Sequence, residues 1–292
     1  MSTSFLYDEP GPAELRRYRR ITIAAGLLSA LVVVAILLRL RSHGQLERKR
    51  WAILLDPETG VPQALWQGYR ATLQAAGLAM VIALVIGLLL AVGRLSAHRP
   101  VRLATGALVE GFRGVPLLLL MLFAALGLPS LGLELSLLHI VVLALVAYNS
   151  SVLCEIFRGG ILALDKGQTE AAEAMGLNRA VVLGRILLPQ AIPTMLPVLV
   201  SQMVILLKDT SLGFIVGYAE LLRQGRSLVE YYGSQYSMQI YVGVAVMYIA
   251  TNFAISFLAR WLTSRRGRGR RSKAAPADSI PLTPTPVVGA AR

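Results

Sequence analysis

The chain has 292 residues, of which 55% are hydrophobic and only 15% are charged, and its formal net charge is +13. With a mean hydropathy of +0.61, this composition excludes an ordinary soluble globular protein and indicates a protein that crosses a membrane several times. The basic residues cluster between long apolar runs and not along an aromatic-rich surface, so we expect membrane lipid, and no nucleic acid, as a partner.

Cysteine and histidine provide little for metal or redox chemistry. Cys154 is the only cysteine and lies inside an apolar run, while the three histidines are scattered along the chain. A disulfide framework and a cysteine metal site are therefore excluded, and the histidine spacing is not that of metal ligands. We expect no metal and no cofactor to be bound by this chain.

The first predicted span is the uncharged run of residues 21–38, which follows four arginines at positions 16–20. A helix of this length nearly crosses a hydrocarbon core of about 30 Å. A cleaved secretory or twin-arginine signal is the alternative. We favour a retained helix, because no small-x-small cleavage site follows Leu38 and more spans come later. Residues 1–66 thus comprise a basic N-terminal tail, an extra span and an outer loop.

Five further spans are predicted, at residues 72–92, 115–128, 137–157, 192–207 and 241–262. Pro116 lies at the start of the second of these, where its missing N–H costs little. The predicted fold is all-α, with about six transmembrane helices: one extra N-terminal span and a five-span core within residues 67–263. Residues 264–292, rich in Arg, Pro and Ala, are predicted to be a disordered tail.

The positions of lysine and arginine predict the orientation. These residues are concentrated before the first span, after the second, after the fourth and after the last. Since cytoplasmic loops carry an excess of bases, both termini are expected in the cytoplasm. The adjacent bases at positions 48–50 fall on the outer side and are the exception.

The segment between the fourth and fifth spans, residues 159–190, is long and has the composition of a helix. Alanine and glutamate in residues 168–175 favour a helix, and Gly176 lies where it would end in a left-handed residue. Asn178 is suited to cap a second helix that runs toward Pro189. By composition alone, a plain surface helix with alanine filler explains this segment as well as a docking helix does.

The spacing within this segment resembles the EAA loop of ABC-importer permeases. The matching elements are Glu170-Ala171-Ala172, Gly176, Ile186 and Leu188-Pro189. In that family the loop forms a cytoplasmic coupling helix that docks into an ATPase subunit, which agrees with the orientation from the bases. The resemblance implies ATPase-coupling roles for Gln168, Glu170, Ala171, Ala172, Glu173, Gly176, Leu188 and Pro189.

Other segments resemble one branch of these permeases, the polar-amino-acid uptake permeases of the histidine and glutamate type. They include RGVPLL at 113–118, EIFRGGI at 155–161, KGQ at 166–168 and LKDTSL at 207–212. Val115 departs from the commoner threonine of the first motif, which puts a substrate role for that side chain in doubt. The extra first span and the sequence YNSSVLCEIFRGGI favour the glutamate-uptake members.

The resemblance implies a permease subunit of an ATP-driven importer in a prokaryotic cytoplasmic membrane, with glutamate, glutamine or aspartate favoured as cargo. The implied partners are a cytoplasmic ATPase dimer, a second identical or sister permease, and an extracytoplasmic substrate-binding protein. The chain contains no GxxxxGK[ST] sequence, so ATP and Mg²⁺ are expected on the partner ATPase and the chain itself is not expected to be an enzyme.

Polar residues inside the apolar spans are predicted to line a substrate route. Lys208 and Asp209 offer the two signs of charge that the carboxylate and the ammonium group of an amino acid need. The other predicted residues of the route are Asn149, Gln202 and Thr210. Hydrogen bonding between helices explains such polar residues as well, and Glu155 with Arg158 is equally consistent with an ion pair at the membrane edge.

An ion-coupled secondary amino-acid transporter or a channel is the alternative function. Such a protein needs no ATPase and has no reason for the spacing of the EAA loop. A partner ATPase is therefore the feature that separates the two interpretations.

Overall fold

The computed structural model of the protein describes residues 11–271, except for the side chains of Arg260 and of residues 262–271. Within this range all regular secondary structure is helical, as predicted. The helices are α1 (Pro12–Ser42), α2 (Arg48–Ala52), α3 (Val61–Arg94), α4 (Arg99–Gly114), α5 (Leu117–Ser130), α6 (Leu137–Leu162), α7 (Lys166–Ala174), α8 (Arg179–Val181), α9 (Leu188–Asp209), α10 (Leu221–Tyr232) and α11 (Ser237–Arg271).

Five helical stretches in the described range are long and apolar enough to cross a membrane. They are α1, α3, α6, the stretch Arg179–Phe214 and the stretch Ser234–Ala259. The pair α4 and α5 is bent by 96° and makes a sixth span if it is counted as one. The prediction of about six transmembrane helices is confirmed.

Two predicted segments differ from the structure. The outer loop predicted up to residue 66 contains α2 and the first turns of α3, whose Val61 and Leu65 are buried. Hydropathy did not mark these turns, because they alternate apolar with polar residues. Residues 264–271, predicted to be disordered, form the end of α11. The rest of the predicted tail, residues 272–292, lies outside the described residues.

The sequence Val115-Pro116 produces the sharp bend between α4 and α5. A residue before proline is disfavoured in the helical region, and Val115 is extended, with φ −97° and ψ 128°. Pro116 has φ −55° and ψ 135° and immediately precedes α5. The prediction that a helix begins beside Pro116 is confirmed, and the RGVP motif contributes the bend through its backbone.

The described residues divide into two compact units, one of residues 11–74 with 211–248 and one of residues 75–210 with 249–271. In the second unit α6 is central and packs against α4, α5 and α9. Glycines allow close packing on α6: a Cβ on Gly160 would overlap the Sδ atom of Met195 in α9, and one on Gly87 of α3 would lie 2.8 Å from the Leu153 Cβ. Small residues at helix contacts are typical of membrane proteins.

In the first unit, Glu220 caps α10, a helix that the sequence analysis did not predict. Its two carboxylate oxygens accept hydrogen bonds from the backbone N–H groups of Leu222 (2.8 Å) and Arg223 (2.7 Å). The Tyr248 hydroxyl donates a third, at 2.9 Å. Glu220 is fully buried, and burial raises the pKa of its carboxyl group, while these hydrogen bonds oppose the rise.

The apolar face of α10 completes this unit. Leu221 and Leu228 are buried in a cluster with Val61, Ile240 and Val244. The spacing of Leu221, Leu228 and Tyr232 follows one helix face, so the pattern was present in the sequence. The helix α10 was not predicted, because its segment has too many polar residues for a membrane span.

Replacing Glu220 by alanine removes the acceptor of all three hydrogen bonds. We expect a loss of about 2 kcal/mol in unfolding free energy, measured as a melting temperature several degrees lower for the purified chain in detergent. The matched control is Glu230→Ala on the same helix, where the exposed carboxylate pairs only with Arg226. That change should cost less than about 0.5 kcal/mol. Equal melting temperatures for the two variants would contradict the capping role.

Candidate functional site: coupling loop and intramembrane polar residues

The predicted coupling loop folds as two helices joined by a left-handed glycine. The Asp165 carboxylate caps α7 by accepting a hydrogen bond from the Gly167 N–H at 2.8 Å. Gly176 has φ +76°, a conformation that residues with a Cβ rarely adopt. The Asn178 Oδ1 accepts from the Val181 N–H at 2.9 Å and caps α8. The predicted left-handed conformation of Gly176 and the predicted cap at Asn178 are confirmed.

One side of α7 packs against the neighbouring helices, and the other side is exposed. Ala172 is buried in a cluster with Val182 and Leu187, and the Gln190 amide donates to the Gln168 Oε1 at 2.7 Å. The other predicted coupling residues of α7 are exposed; they are Glu170, Ala171 and Glu173. A force applied to the free side of α7 would therefore act on the start of α9.

A π-helical turn, Val182–Leu187, joins α8 to α9. Pro189 follows this turn and has no N–H to donate to the carbonyl of Arg185, so regular α-helical bonding is interrupted there. Leu188 is half-buried and Pro189 is exposed. The Leu188-Pro189 element thus marks a break between the coupling loop and the span.

A group of four charged side chains joins α3, α4 and α6. One oxygen of Glu155 accepts from the Arg94 guanidinium at 3.2 Å, and the other accepts from Arg158 at 2.7 Å. Arg94 also lies 3.4 Å from a carboxylate oxygen of Glu110. The ion pair of Glu155 with Arg158 is confirmed.

Arg94, which lies 61 positions before Glu155, was not among the predicted site residues. The available signal was a single base at the end of a predicted span, which does not reveal its partner. Gly106 makes room for it, because a Cβ there would lie 2.4 Å from the Arg94 Nη1. The group has two positive and two negative charges, so the half-buried Arg94, Glu155 and Arg158 each have a counter-charge.

Asn149 and Gln202, predicted to line a substrate route, are bonded to each other. The Gln202 Nε2 donates to the Asn149 Oδ1 at 2.8 Å, and the Asn149 Nδ2 donates to the Leu145 carbonyl at 2.9 Å. Both side chains are buried. Thr210 is also buried, and its hydroxyl donates to the Leu207 carbonyl at 2.6 Å. The Gln202–Asn149 bond joins α6 to α9, whereas the Thr210 bond lies within its own helical stretch. Contact of these three residues with substrate stays a prediction.

Lys208 and Asp209 differ from these residues. Lys208 is exposed and Asp209 is half-buried at the end of α9. Because adjacent residues on a helix point about 100° apart, the two side chains face different directions. Within the part of the chain that the structure describes, neither side chain forms an ion pair or a hydrogen bond. Both charges are therefore unpaired among the described residues.

The amide pair can be tested by a double-mutant cycle with Asn149→Leu and Gln202→Leu. Each single change leaves one buried amide without its partner, so the double variant should be less destabilised than the sum by about 1 kcal/mol. Stability is measured by thermal unfolding in detergent. The matched control pairs Asn149→Leu with Ser201→Leu, because Ser201 is exposed and bonds only within its own helix. Additivity in both cycles would contradict the interhelical link.

Comparison with known proteins places these features in a family. Residues 67–268 match the family described as binding-protein-dependent transport system inner membrane component. The glutamate transport system permease protein GluD of Corynebacterium glutamicum is 38% identical over 240 residues, covering 80% of this chain and 86% of that protein. The probable glutamine ABC transporter permease protein GlnP of Bacillus subtilis is 34% identical over 203 residues, covering 69% and 93%.

Solved structures match as well. A crystal structure of an amino acid ABC transporter with histidines aligns with a TM-score of 0.64 and 30% identity, covering 70% of this chain and 94% of that one. A bacterial ABC transporter involved in the import of alginate aligns with a TM-score of 0.60 over 85% of this chain. Its identity is 15%, so that second likeness concerns the fold alone.

Proposed function

The chain belongs to the family of binding-protein-dependent transport system inner membrane components, and on this premise we propose that it imports glutamate or a closely related polar amino acid. The relatives named for glutamate and glutamine support this class of cargo. The observation that supports the mechanism best is that α7 is exposed on one side and anchored to α9 on the other. ATP-driven closure of a partner ATPase dimer would move this helix and reorient the spans in alternating access.

The contacts of α7 give a route for that movement. Three residues separate α7 from α6, and the Gln168–Gln190 bond connects it with α9. The Glu155 group then joins α6 to α3 and α4. A displacement of α7 therefore reaches helices on both sides of the loop through polar bonds and short connections.

A bulky residue on the exposed side of α7 tests the docking role. Ala171→Trp introduces no backbone strain, since Ala171 is helical and exposed. We expect co-purification of the ATPase subunit and ATP-driven uptake to fall together, by about tenfold or more, which corresponds to about 1.4 kcal/mol of docking energy. The matched control is Ala219→Trp, at an exposed position outside the loop. Wild-type ATPase binding and uptake in Ala171→Trp would contradict the docking role.

We assign the substrate route to Lys208 and Asp209. An amino acid in its zwitterionic form presents a carboxylate and an ammonium group, and the two side chains supply the complementary charges. Lys208 is exposed on the single chain, so a second permease subunit, identical or sister, would enclose the route. The Asn149–Gln202 bond joins α6 to α9, and the buried Thr210 directly follows Asp209.

Replacing Asp209 by asparagine keeps the size of the side chain and removes its charge. We expect uptake to fall by about 10- to 100-fold, as for the loss of a charge-assisted hydrogen bond, with assembly of the subunits unchanged. Uptake by the reconstituted complex gives the measurement. Asp56→Asn, at the half-buried cap of a short 3₁₀ turn outside the proposed route, serves as the matched control. Uptake at wild-type affinity in Asp209→Asn would disprove the assignment.

The remaining partners follow from the same proposal. The family description implies an external substrate-binding protein, and the distribution of bases supports cytoplasmic termini. ATP and Mg²⁺ would be bound by the ATPase. The family match favours this importer over an ion-coupled carrier.

A further inference from the structure

A cavity of about 560 Å³ lies where α3 ends and α4 begins, against α7 and α8. Its volume is in the range of sites that hold a small molecule. Neither the Glu155 group nor the pair Lys208 and Asp209 lines it. The cavity is therefore separate from the substrate route.

The wall of the cavity is apolar and reaches the outside of the helices. Val92, Val101 and Leu162 line it, and they remain 41%, 45% and 58% exposed. Val92 and Leu162 lie near the ends of two membrane spans. Exposed apolar side chains at the end of a span suit contact with lipid chains, so an occupant with an apolar part fits this wall.

The rim of the cavity is polar and carries an excess of positive charge. Lys166, Arg179 and His98 line it. Glu173 lies 3.8 Å from Arg179 and offsets part of that charge. No ion pair involves Lys166 within the described part of the chain, and the exposed Arg99 directly follows His98. An occupant with an anionic head fits this rim.

The cavity and the exposed alanines of the proposed docking surface lie on different sides of α7, and Glu173 is the one predicted coupling residue among those that line the cavity. Lys166, Thr169 and Glu173 line the cavity, and their spacing places them on one helix face. Ala171 and Ala174 are exposed on the other side. An occupant of the cavity would thus leave those two residues accessible to an ATPase.

We propose that this cavity binds an anionic phospholipid of the surrounding membrane. Its phosphate lies at Lys166 and Arg179, and its acyl chains follow Val92, Val101 and Leu162. Basic pockets between transmembrane helices on the cytoplasmic side are sites for anionic headgroups. The cytoplasmic location of the cavity rests on the proposed function. The proposed contact with lipid rests on the residues that line the cavity.

Native mass spectrometry of the full-length chain, purified in detergent, tests this site. Phosphatidylglycerol and phosphatidylcholine with identical acyl chains are added separately, and the wild type should retain phosphatidylglycerol preferentially. The double variant Lys166→Gln/Arg179→Gln should bind it about 25-fold more weakly, since each basic residue contributes about fivefold. The matched control Arg48→Gln/Lys49→Gln removes two exposed bases outside the cavity and should bind as the wild type does.

A second variant keeps the charges and fills the space. Thr169 is half-buried on the cavity wall, so Thr169→Trp should displace the lipid as strongly as the loss of charge does. Equal retention of both lipids by the wild type would overturn the site, and so would unchanged retention in both variants. Preferential retention together with failed ATP-driven uptake would support the lipid site and contradict the importer.

Discussion

The constraint on which this structure depends is that a charge or amide group placed among apolar helices must find a partner. Glu155 meets it most fully, because each of its two oxygens accepts a hydrogen bond from a different arginine. Its side chain is 19% exposed, and Arg94 is 20% exposed, so removal of either charge would leave the other poorly solvated. The paired charges of the Glu155 group thus connect α3, α4 and α6.

The same constraint separates polar residues that stabilise the fold from polar residues that are candidates for contact with cargo. Asn149 and Gln202 satisfy each other across α6 and α9, and Glu220 is satisfied by two backbone amides and the Tyr248 hydroxyl. Lys208 and Asp209 have no such partner within the described residues. Polar side chains in a span are expensive, and the unpaired ones are therefore the better candidates for contact with cargo.

Features set by local backbone chemistry could be predicted from the sequence. Gly176 had to be left-handed at the end of α7, Asn178 had to cap the next helix, and Pro116 had to interrupt the chain before α5. Each depends on a few neighbouring residues. The membrane spans could be predicted equally well, because an apolar run that is long enough to cross a membrane rarely has another role.

Long-range features could not be predicted in this way. Arg94 and Glu155 are far apart in the sequence, and only the packing of α3 on α6 brings them together. Gln202 was predicted to line a substrate route, and its amide partner became apparent only from the contact between α6 and α9. The cavity beside α7 combines residues of several elements, none of which has a distinctive spacing.

Cysteine accessibility tests most directly the claim that Lys208, unpaired among the described residues, faces a water-filled route. Cys154 is the only cysteine and is buried, so Cys154→Ala provides a background for single cysteines at Lys208 and at the fully buried Leu206. In the assembled transporter in membranes, a charged thiol reagent should modify Lys208→Cys rapidly and leave Leu206→Cys unmodified. An unreactive Lys208→Cys, or equal reaction at the two positions, would contradict the account.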